Sequence, residues 1–118
     1  MMRLATLALA VLPMTAAAQE ATELGTGAVL RGLEKVSGDI TDMTLGPGEE
    51  GQIGSLTVEL QECRYPQGDP AADAFAFLTI RDSDAETIFS GWMFASSPAL
   101  NALDHPRLDV WVLRCRTE

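Results

Sequence analysis

The sequence predicts a small, mainly antiparallel β-sandwich or partly open barrel with one short helix before the last strand. Three observations support this prediction. About six short strand-like runs are separated by glycine, proline or aspartate turn signals. Only one short stretch has a helix-start signal, and the chain is long enough for one domain. Many short strands separated by turns are typical of sandwiches and barrels.

The first 18 residues have the features of a cleaved signal peptide. Met1-Met2-Arg3 is a short basic start, and residues 4–14 are mainly apolar. Ala16-Ala17-Ala18 has the small-x-small pattern of a signal peptidase site, so we predict cleavage after Ala18. The apolar run is shorter than the ~20 residues that span a bilayer. We therefore expect an exported, soluble mature chain.

About 100 residues follow this site, enough for a single domain. Residues 19–27 are polar and contain glycine, and we expect them to form a flexible leader before a single β domain at 28–118. The formal net charge is −9, and loss of Arg3 makes it −10. Such a chain repels phosphate backbones and anionic lipids. We expect no nucleic-acid binding and no direct membrane insertion after signal cleavage, although the charge is also explained by solubility alone.

Three strands are predicted in the first half of the domain: Ala28–Val36, Ile40–Leu45 and Ile53–Cys63. In the first strand, a bulge at Arg31-Gly32 would restore the alternation of apolar residues. Gly46-Pro47-Gly48 ends the second, and residues 49–51 are expected to form a solvated loop. The third is the clearest, because apolar and polar residues alternate over residues 56–61.

Three more strands are predicted in the second half: Ala74–Arg81, Glu86–Met93 and Leu108–Arg114. The first of these is apolar on both faces, which predicts a central strand covered on both sides. In the last, simple alternation places Trp111, Leu113 and Cys115 on one face. We therefore expect the second cysteine to point to the side where the tryptophan packs.

A short helix is predicted between the last two strands. Ser97 has the residue type of an N-cap and Pro98 that of a first helical residue. The helix must end near His105, because a proline follows it. A two-turn helix is stable only if one face packs on the sheet, and Leu100 and Leu103 would form that face.

The chain has two cysteines, Cys63 and Cys115. In an exported protein, an even number of cysteines favours one intramolecular disulfide. The alternative is a metal site, but two thiols and the distant His105 form a thin ligand set. We expect no metal and no cofactor.

Several stretches resemble one known family. They are FSGWMFASSPAL at 89–100, His105-Pro106, Asp109-Val110-Trp111, Leu33-Glu34-Lys35-Val36 and the pair Cys63 and Cys115. Together they resemble the domain-of-unknown-function family 2155 over residues 28–116. The chain departs from the family pattern at Arg107-Leu108, where an aromatic residue is expected. The resemblance implies a small exported alphaproteobacterial protein of the Gram-negative periplasm, and it implies no activity.

A small serine/histidine-dependent hydrolase is the alternative functional hypothesis. Ser96 or Ser97, His105, and Asp104 or Asp109 supply the residue types of a triad. However, Ser97 is equally explained as a cap, and the chain lacks the G-x-S-x-G elbow. We therefore predict no catalytic residues.

A metal site that combines His105 with Asp104, with Asp109 or with the pair Asp82 and Asp84 has no spacing to support it. The latter pair is more simply read as a solvated hairpin turn.

The remaining hypothesis is a protein-binding surface. Trp92, Met93 and Phe94 are consecutive, so they cannot all face one side of a strand. Either the helix covers them, or some of their area is exposed, as in interface hot spots. The predicted interaction surface consists of Trp92, Phe94, Ser96, Asn101, Asp104 and His105. The sequence thus predicts a non-enzymatic binding or envelope-associated module whose partner is a periplasmic or envelope protein.

Overall fold

The computed structural model describes residues 2–10 and 21–118. The predicted cleavage site after Ala18 lies outside the described residues. Within them the strands are β1 (Thr22–Leu24), β2 (Gly27–Glu34), β3 (Ile40–Leu45), β4 (Glu50–Ile53), β5 (Leu56–Pro66), β6 (Phe75–Arg81), β7 (Thr87–Phe94) and β8 (Leu108–Arg116). A single 3-10 turn, Pro98–Leu100, lies between the last two strands.

The strands form two antiparallel sheets. The large sheet has the order β1-β5-β6-β7, and β4 pairs with β5 beside β1. The small sheet has the order β3-β2-β8. The sheets pack face to face and do not close into a barrel. The prediction of a mainly β, antiparallel sandwich is therefore confirmed.

The core lies between the sheets and is built by residues that alternate along the strands. In β5, Leu56, Val58 and Leu60 are fully buried, as their alternation predicts. In β6, alternate residues point into the core, whereas Phe75 and Phe77 lie on the outer side and are half-buried. The expectation that β6 is covered equally on both faces was wrong, because no described strand packs on its outer side.

The segment between β7 and β8, residues 95–107, leads from the edge of one sheet to the edge of the other. We call it the crossover. Its predicted two-turn helix is only one 3-10 turn, because Asn101 is already extended (φ −150°, ψ 100°). Ser97 makes no side-chain cap hydrogen bond, and Leu100 is 73% exposed. Leu103 is buried, at 4% exposure, so this leucine alone packs into the core as expected.

A bulge in β8 changes which face its residues occupy. Val29 pairs with Arg114 and Leu30 with Val112, so Leu113 is an extra residue. Beyond such a bulge the alternation resumes on the opposite face. Cys115 therefore points into the core, whereas Trp111 lies on the outer side. The prediction that these two residues share a face was wrong.

The bulge predicted at Arg31-Gly32 in β2 is absent, and the strand alternates regularly there. Gly32 is one of its inward residues. A Cβ atom at Gly32 would lie 2.5 Å from Cγ2 of Ile53. The glycine is thus explained by close packing against β4.

Cys63 of β5 and Cys115 of β8 lie opposite each other between the two sheets. Their Cα atoms are 5.6 Å apart, within the range that a disulfide requires. Both residues are buried. The pair is thus compatible with a disulfide that joins the large sheet to the small one.

Two short strands lie where loops were expected. The expected flexible leader, 19–27, contains β1, which pairs with the end of β5. After β1, Gly25 donates its N–H to the Cys63 carbonyl at 2.7 Å. The expected solvated loop at 49–51 includes the start of β4, which pairs with the start of β5. Backbone pairing on the edge of β5, rather than apolar alternation, holds both strands.

Candidate functional site

The predicted interaction surface divides into two regions. Trp92 and Phe94 lie on the outer side of the large sheet, where each meets a phenylalanine of β6. We call the group Phe75, Phe77, Trp92 and Phe94 the aromatic face. The other four predicted residues belong to the crossover.

The rings of the aromatic face form two cross-strand pairs. Phe77 and Trp92 are paired in register, with ring centroids 5.4 Å apart and planes at 88°. Phe75 and Phe94 are paired likewise, at 5.7 Å and 70°. Edge-to-face pairs of this kind contribute about 0.5–1.5 kcal/mol beyond their burial. The rings are therefore held in place, while all four residues stay half-buried.

An ion pair lies beside the rings on β5. Glu62 is the cross-strand partner of Phe77, and Arg64 is that of Phe75. The Arg64 Nε donates to Glu62 Oε1 at 2.9 Å, and the two side chains are 39% and 34% exposed. The sequence alone does not point to these two residues, because β5 has an extra residue at Gln61 that changes the face on which later residues lie.

Next to the aromatic rows lies a row of neutral polar side chains. The amide of Gln61 donates to Oγ1 of Thr79 at 3.0 Å. Thr79 lies 3.5 Å from the hydroxyl of Ser90, which is exposed. Beyond this row, hydrogen bonds from Arg81 to Glu59 and Glu50 raise the pKa of that guanidinium above its usual value. The outer side of the large sheet thus changes from aromatic to neutral polar to charged.

The polar side chains at the start of the crossover make hydrogen bonds within the fold. Ser96 donates its N–H and its hydroxyl to the carboxylate of Asp73, at 2.9 and 2.6 Å. Asn101 donates its amide to the carbonyl oxygen of Trp92 at 2.9 Å. A Cβ atom at Gly91 would lie 2.9 Å from that amide nitrogen, so the glycine permits the approach. These contacts fix the crossover against the loop before β6 and against the edge of β7.

His105 holds the turn that leads into β8. Its Nδ1 accepts the N–H groups of Arg107 and Leu108, at 3.1 and 3.0 Å. An accepting Nδ1 places the ring proton of the neutral imidazole on Nε2. The carbonyl oxygen of His105 accepts a hydrogen bond from Lys35 Nζ at 2.8 Å. The neighbouring Asp104 is exposed and makes no side-chain hydrogen bond or ion pair among the described residues.

Among the described residues, the serine and histidine of the hypothetical triad are not connected by hydrogen bonds. The hydroxyl of Ser96 is bonded to Asp73, and across the described part of the chain no hydrogen bond connects Ser96 or Ser97 to His105. Asp82 accepts the N–H groups of Asp84 and Glu86, as expected for a hairpin turn. No group of three or more His, Cys, Asp or Glu residues is placed to hold a metal ion in residues 2–10 and 21–118.

The outer side of the small sheet differs from the aromatic face of the large sheet. Arg31 donates two hydrogen bonds to Asp42, at 2.8 and 2.9 Å. These bonds hold the pKa of the Asp42 carboxyl below its usual value. On the other neighbouring strand, β8, Trp111 is the cross-strand partner of Arg31, and it is half-buried. A tryptophan is therefore present on each outer side, but only one belongs to a group of aromatic rings.

A groove of about 800 Å3 lies at one end of the small sheet, between Val29, Leu113 and the loop at 70–73. Neither Trp92 nor Phe94 lines it, so the aromatic face is an open surface outside this groove.

In the described part of the chain, no helix has the length and apolar character needed to cross a membrane.

Comparison with known proteins identifies the family. The family described as "Uncharacterized protein conserved in bacteria (DUF2155)" matches residues 28–115, which include both cysteines, β7, the crossover and most of β8. The "Uncharacterized protein RP359" of Rickettsia prowazekii (strain Madrid E) is 28% identical over 87 residues, covering 70% of this chain and 56% of the relative. The chain thus spans about half the length of this curated relative. No solved structure matches the chain. The chain belongs to the bacterial family known as domain of unknown function 2155.

Proposed function

We propose that the protein is an exported, non-enzymatic binding module of the cell envelope, and that the aromatic face is its contact surface. One observation carries this proposal. Four aromatic side chains lie together on the outer side of the large sheet, where no described strand packs on them. Aromatic residues, including phenylalanine, are enriched in the cores of protein interfaces.

Export is supported by the cysteine pair and by the N-terminal sequence. Cys63 and Cys115 have the separation that a disulfide requires, and disulfides persist in oxidising compartments such as the bacterial periplasm. Residues 1–18 have the charge and apolar pattern of a cleaved signal peptide. N-terminal sequencing of the secreted protein tests this part, and we expect the mature chain to begin at Gln19.

The acidic charge narrows the class of partner. A net charge of −9 disfavours nucleic acid and anionic lipid surfaces, which are themselves negatively charged. A component of the periplasm or envelope is the remaining class of partner. Within the predicted surface, we give the main role to Trp92 and Phe94. Three of the four crossover residues, Ser96, Asn101 and His105, already have hydrogen-bond partners in the fold.

Affinity capture from an envelope extract tests the proposal. Wild-type protein is compared with Trp92→Ala and with Trp111→Ala, which removes the same side chain from the outer side of the small sheet. We expect Trp92→Ala to lose the captured component and Trp111→Ala to retain it. Equal capture by all three proteins would contradict a contact surface at the aromatic face.

A fluorophosphonate probe tests the hydrolase alternative. Because the Ser96 hydroxyl is bonded to Asp73 rather than to His105, we expect no labelling. Labelling at Ser96 or Ser97 that disappears in His105→Ala would replace the binding module by a serine hydrolase.

A further inference from the structure

We propose that the free edge of β8 is a second contact surface, at which an extended peptide segment of a partner protein adds to the small sheet as a fourth strand. The peptide lies in the groove beside residues 113–116, with an acidic side chain next to Arg114. This surface is separate from the aromatic face, so the inference goes beyond the proposed function. It follows from the unpaired backbone of β8, from the groove beside it and from the charge of Arg114.

Strand β8 ends the small sheet, because it pairs with β2 on one side and with no described strand on the other. Among the described residues, no backbone hydrogen bond outside this pairing reaches residues 109–115. The edge of such a strand presents a row of N–H and C=O groups that a further extended chain satisfies. The backbone of β8 therefore suits a ligand that is itself an extended polypeptide.

Other strand edges are covered by the chain itself. At the edge of β7, the amide of Asn101 binds the carbonyl oxygen of Trp92, and the N–H of Ser97 binds that of Phe94 at 3.3 Å. Strands β1 and β4 share the outer edge of β5. The C-terminal half of β8 has no such cover among the described residues, and a groove lies beside it instead.

The groove of about 800 Å3 gives an added strand its room. Residues 113–118 line it together with the loop at 70–73 and the start of the crossover. Its volume is within the range of about 300–1,000 Å3 that is usual for ligand clefts. The loop contributes the small side chains of Pro70, Ala71 and Ala72. Because alternate side chains of an extended chain point to opposite sides, every second residue of the peptide would be apolar and pack on this loop.

Arg114 determines the charge of the residues between them. It is the cross-strand partner of Val29, which pairs with Thr44 on its other side, so no acidic residue lies in this row. The Arg114 side chain is exposed, and within the described part of the chain it makes no hydrogen bond or ion pair. Both oxygens of the nearby Asp42 are bonded to Arg31. Since opposite charges on neighbouring strands attract, an acidic side chain of the added strand completes the row.

Titration of the mature protein with the peptide acetyl-Lys-Thr-Val-Glu-Val-Thr-amide tests the proposal. The peptide places one acidic residue between two valines and has no net charge, so the −9 charge of the chain does not repel it. Amide NMR shifts and hydrogen exchange are the readouts. We expect saturable binding, with shifts confined to residues 70–73, 95–96 and 113–117 and slower exchange of amides in β8. No saturable binding at millimolar concentration would overturn the proposal.

Two N-methylated versions of the peptide test the backbone pairing. Methyl groups on alternate residues remove the N–H donors from one side of the extended peptide and leave those of the other side intact. Only one side faces β8, so we expect one version to lose binding and the other to keep it. Equal affinities of the two versions, whether retained or lost, would contradict the addition of a strand.

Arg114→Gln tests the charge, and it should fold normally because the side chain is exposed. We expect it to bind the peptide at least fivefold more weakly. Arg107→Gln, which changes an exposed arginine just before the other end of β8, should bind as the wild type does. A peptide with glutamine in place of glutamate should not distinguish the wild type from Arg114→Gln. Undiminished binding of the original peptide by Arg114→Gln would overturn the proposed site.

Trp92→Ala separates this inference from the proposed function. We expect it to bind the peptide as the wild type does, even where it no longer captures the envelope component. Loss of peptide binding by a folded Trp92→Ala would place the peptide on the aromatic face and overturn the site at β8. A concentration-dependent dimer that shifts the amides of residues 113–116 without any peptide would also overturn it, because a second copy would then occupy the edge.

Discussion

The aromatic face and the crossover are built from one continuous stretch of chain, yet their side chains are used in opposite ways. In the crossover, the polar groups of Ser96, Asn101 and His105 are bound to Asp73 or to backbone groups. In the aromatic face, large apolar rings lie on the outer side of the sheet and pack edge to face in two pairs. The residues that look chemically reactive therefore hold the fold, whereas those that look like core residues lie on an outer side of the sheet.

The difference has a physical reason. The crossover has few backbone ladder bonds, so side chains must satisfy its N–H and C=O groups. The strands of the aromatic face satisfy their own backbone, so their outward side chains are free of that task. Histidine, serine and asparagine in an irregular segment thus have a strong structural explanation before any chemical one.

The largest expected effect concerns the cysteine pair, which would attach β8, the strand that follows the crossover, to the large sheet. Replacing Cys63 and Cys115 by serine should lower the free energy of unfolding by about 4 kcal/mol, because a bridge over a loop of this size restricts the unfolded chain. Chemical denaturation of the oxidised protein and of the double variant measures the difference. Mass spectrometry of alkylated, unreduced protein is the control, and two labelled thiols would contradict the bond itself.

The next effect tests the two leucines of the crossover. Leu103→Ala should cost about 3 kcal/mol of stability, because a buried side chain is removed from the core. Leu100→Ala is the matched control, and it should change stability by less than about 0.5 kcal/mol, because Leu100 is 73% exposed. Thermal and urea unfolding measure both. Equal costs would mean that a longer helix packs in solution.

A smaller effect tests whether His105 is structural. His105→Ala should cost about 1–2 kcal/mol, because it leaves two backbone N–H groups without their acceptor. Asp104→Ala, at the adjacent exposed position, should cost almost nothing. Neither change should alter binding through the aromatic face. A folded His105→Ala protein that loses its partner would move the contact surface to the crossover and reverse the comparison.

The smallest effect lies at the margin of the large sheet, where Tyr65 donates its hydroxyl to Glu23 at 2.9 Å. This hydrogen bond raises the pKa of the Tyr65 phenol. A group whose pKa is higher in the folded state than in the unfolded state stabilises the fold at pH values below its unfolded pKa. That contribution is lost as the pH rises through the folded pKa. Glu23→Gln should lower the Tyr65 pKa in an absorbance titration. An unchanged titration would show that β1 does not hold this contact in solution.

Part of the fold was predictable because it depends on local patterns. Apolar runs between turn signals located six of the strands, and the even number of cysteines predicted a pair that the fold does bring within disulfide distance. The strands β1 and β4 could not be found in this way, since they are three and four residues long and have no apolar alternation. They form only because the edge of β5 offers unpaired backbone groups.

The composition of the candidate site was harder to predict, because bulges change the face of every residue that follows. The extra residue at Gln61 brings Glu62 and Arg64 beside the rings, and the one at Leu113 separates Trp111 from Cys115. A bulge depends on pairing with a distant strand, so a single sequence carries no clear signal of it. The sequence singled out Trp92 and Phe94, because three consecutive large apolar residues of one strand cannot all face the same side.

The pairing of β2 with β8 also sets the order in which the molecule can be assembled. Strand β2 is synthesised early, whereas its partner β8, which pairs Arg116 with Gly27, is the last strand of the chain. This edge of β2 therefore stays unpaired until all the other strands have been made. Until then, the β2–β3 hairpin is two-stranded, and such hairpins are marginally stable at best. Its inward residues, such as Leu30, stay uncovered for the same period. A chain that ends before Leu108 therefore leaves this apolar surface uncovered, and Cys63 has no second cysteine with which to pair until residue 115 has been made.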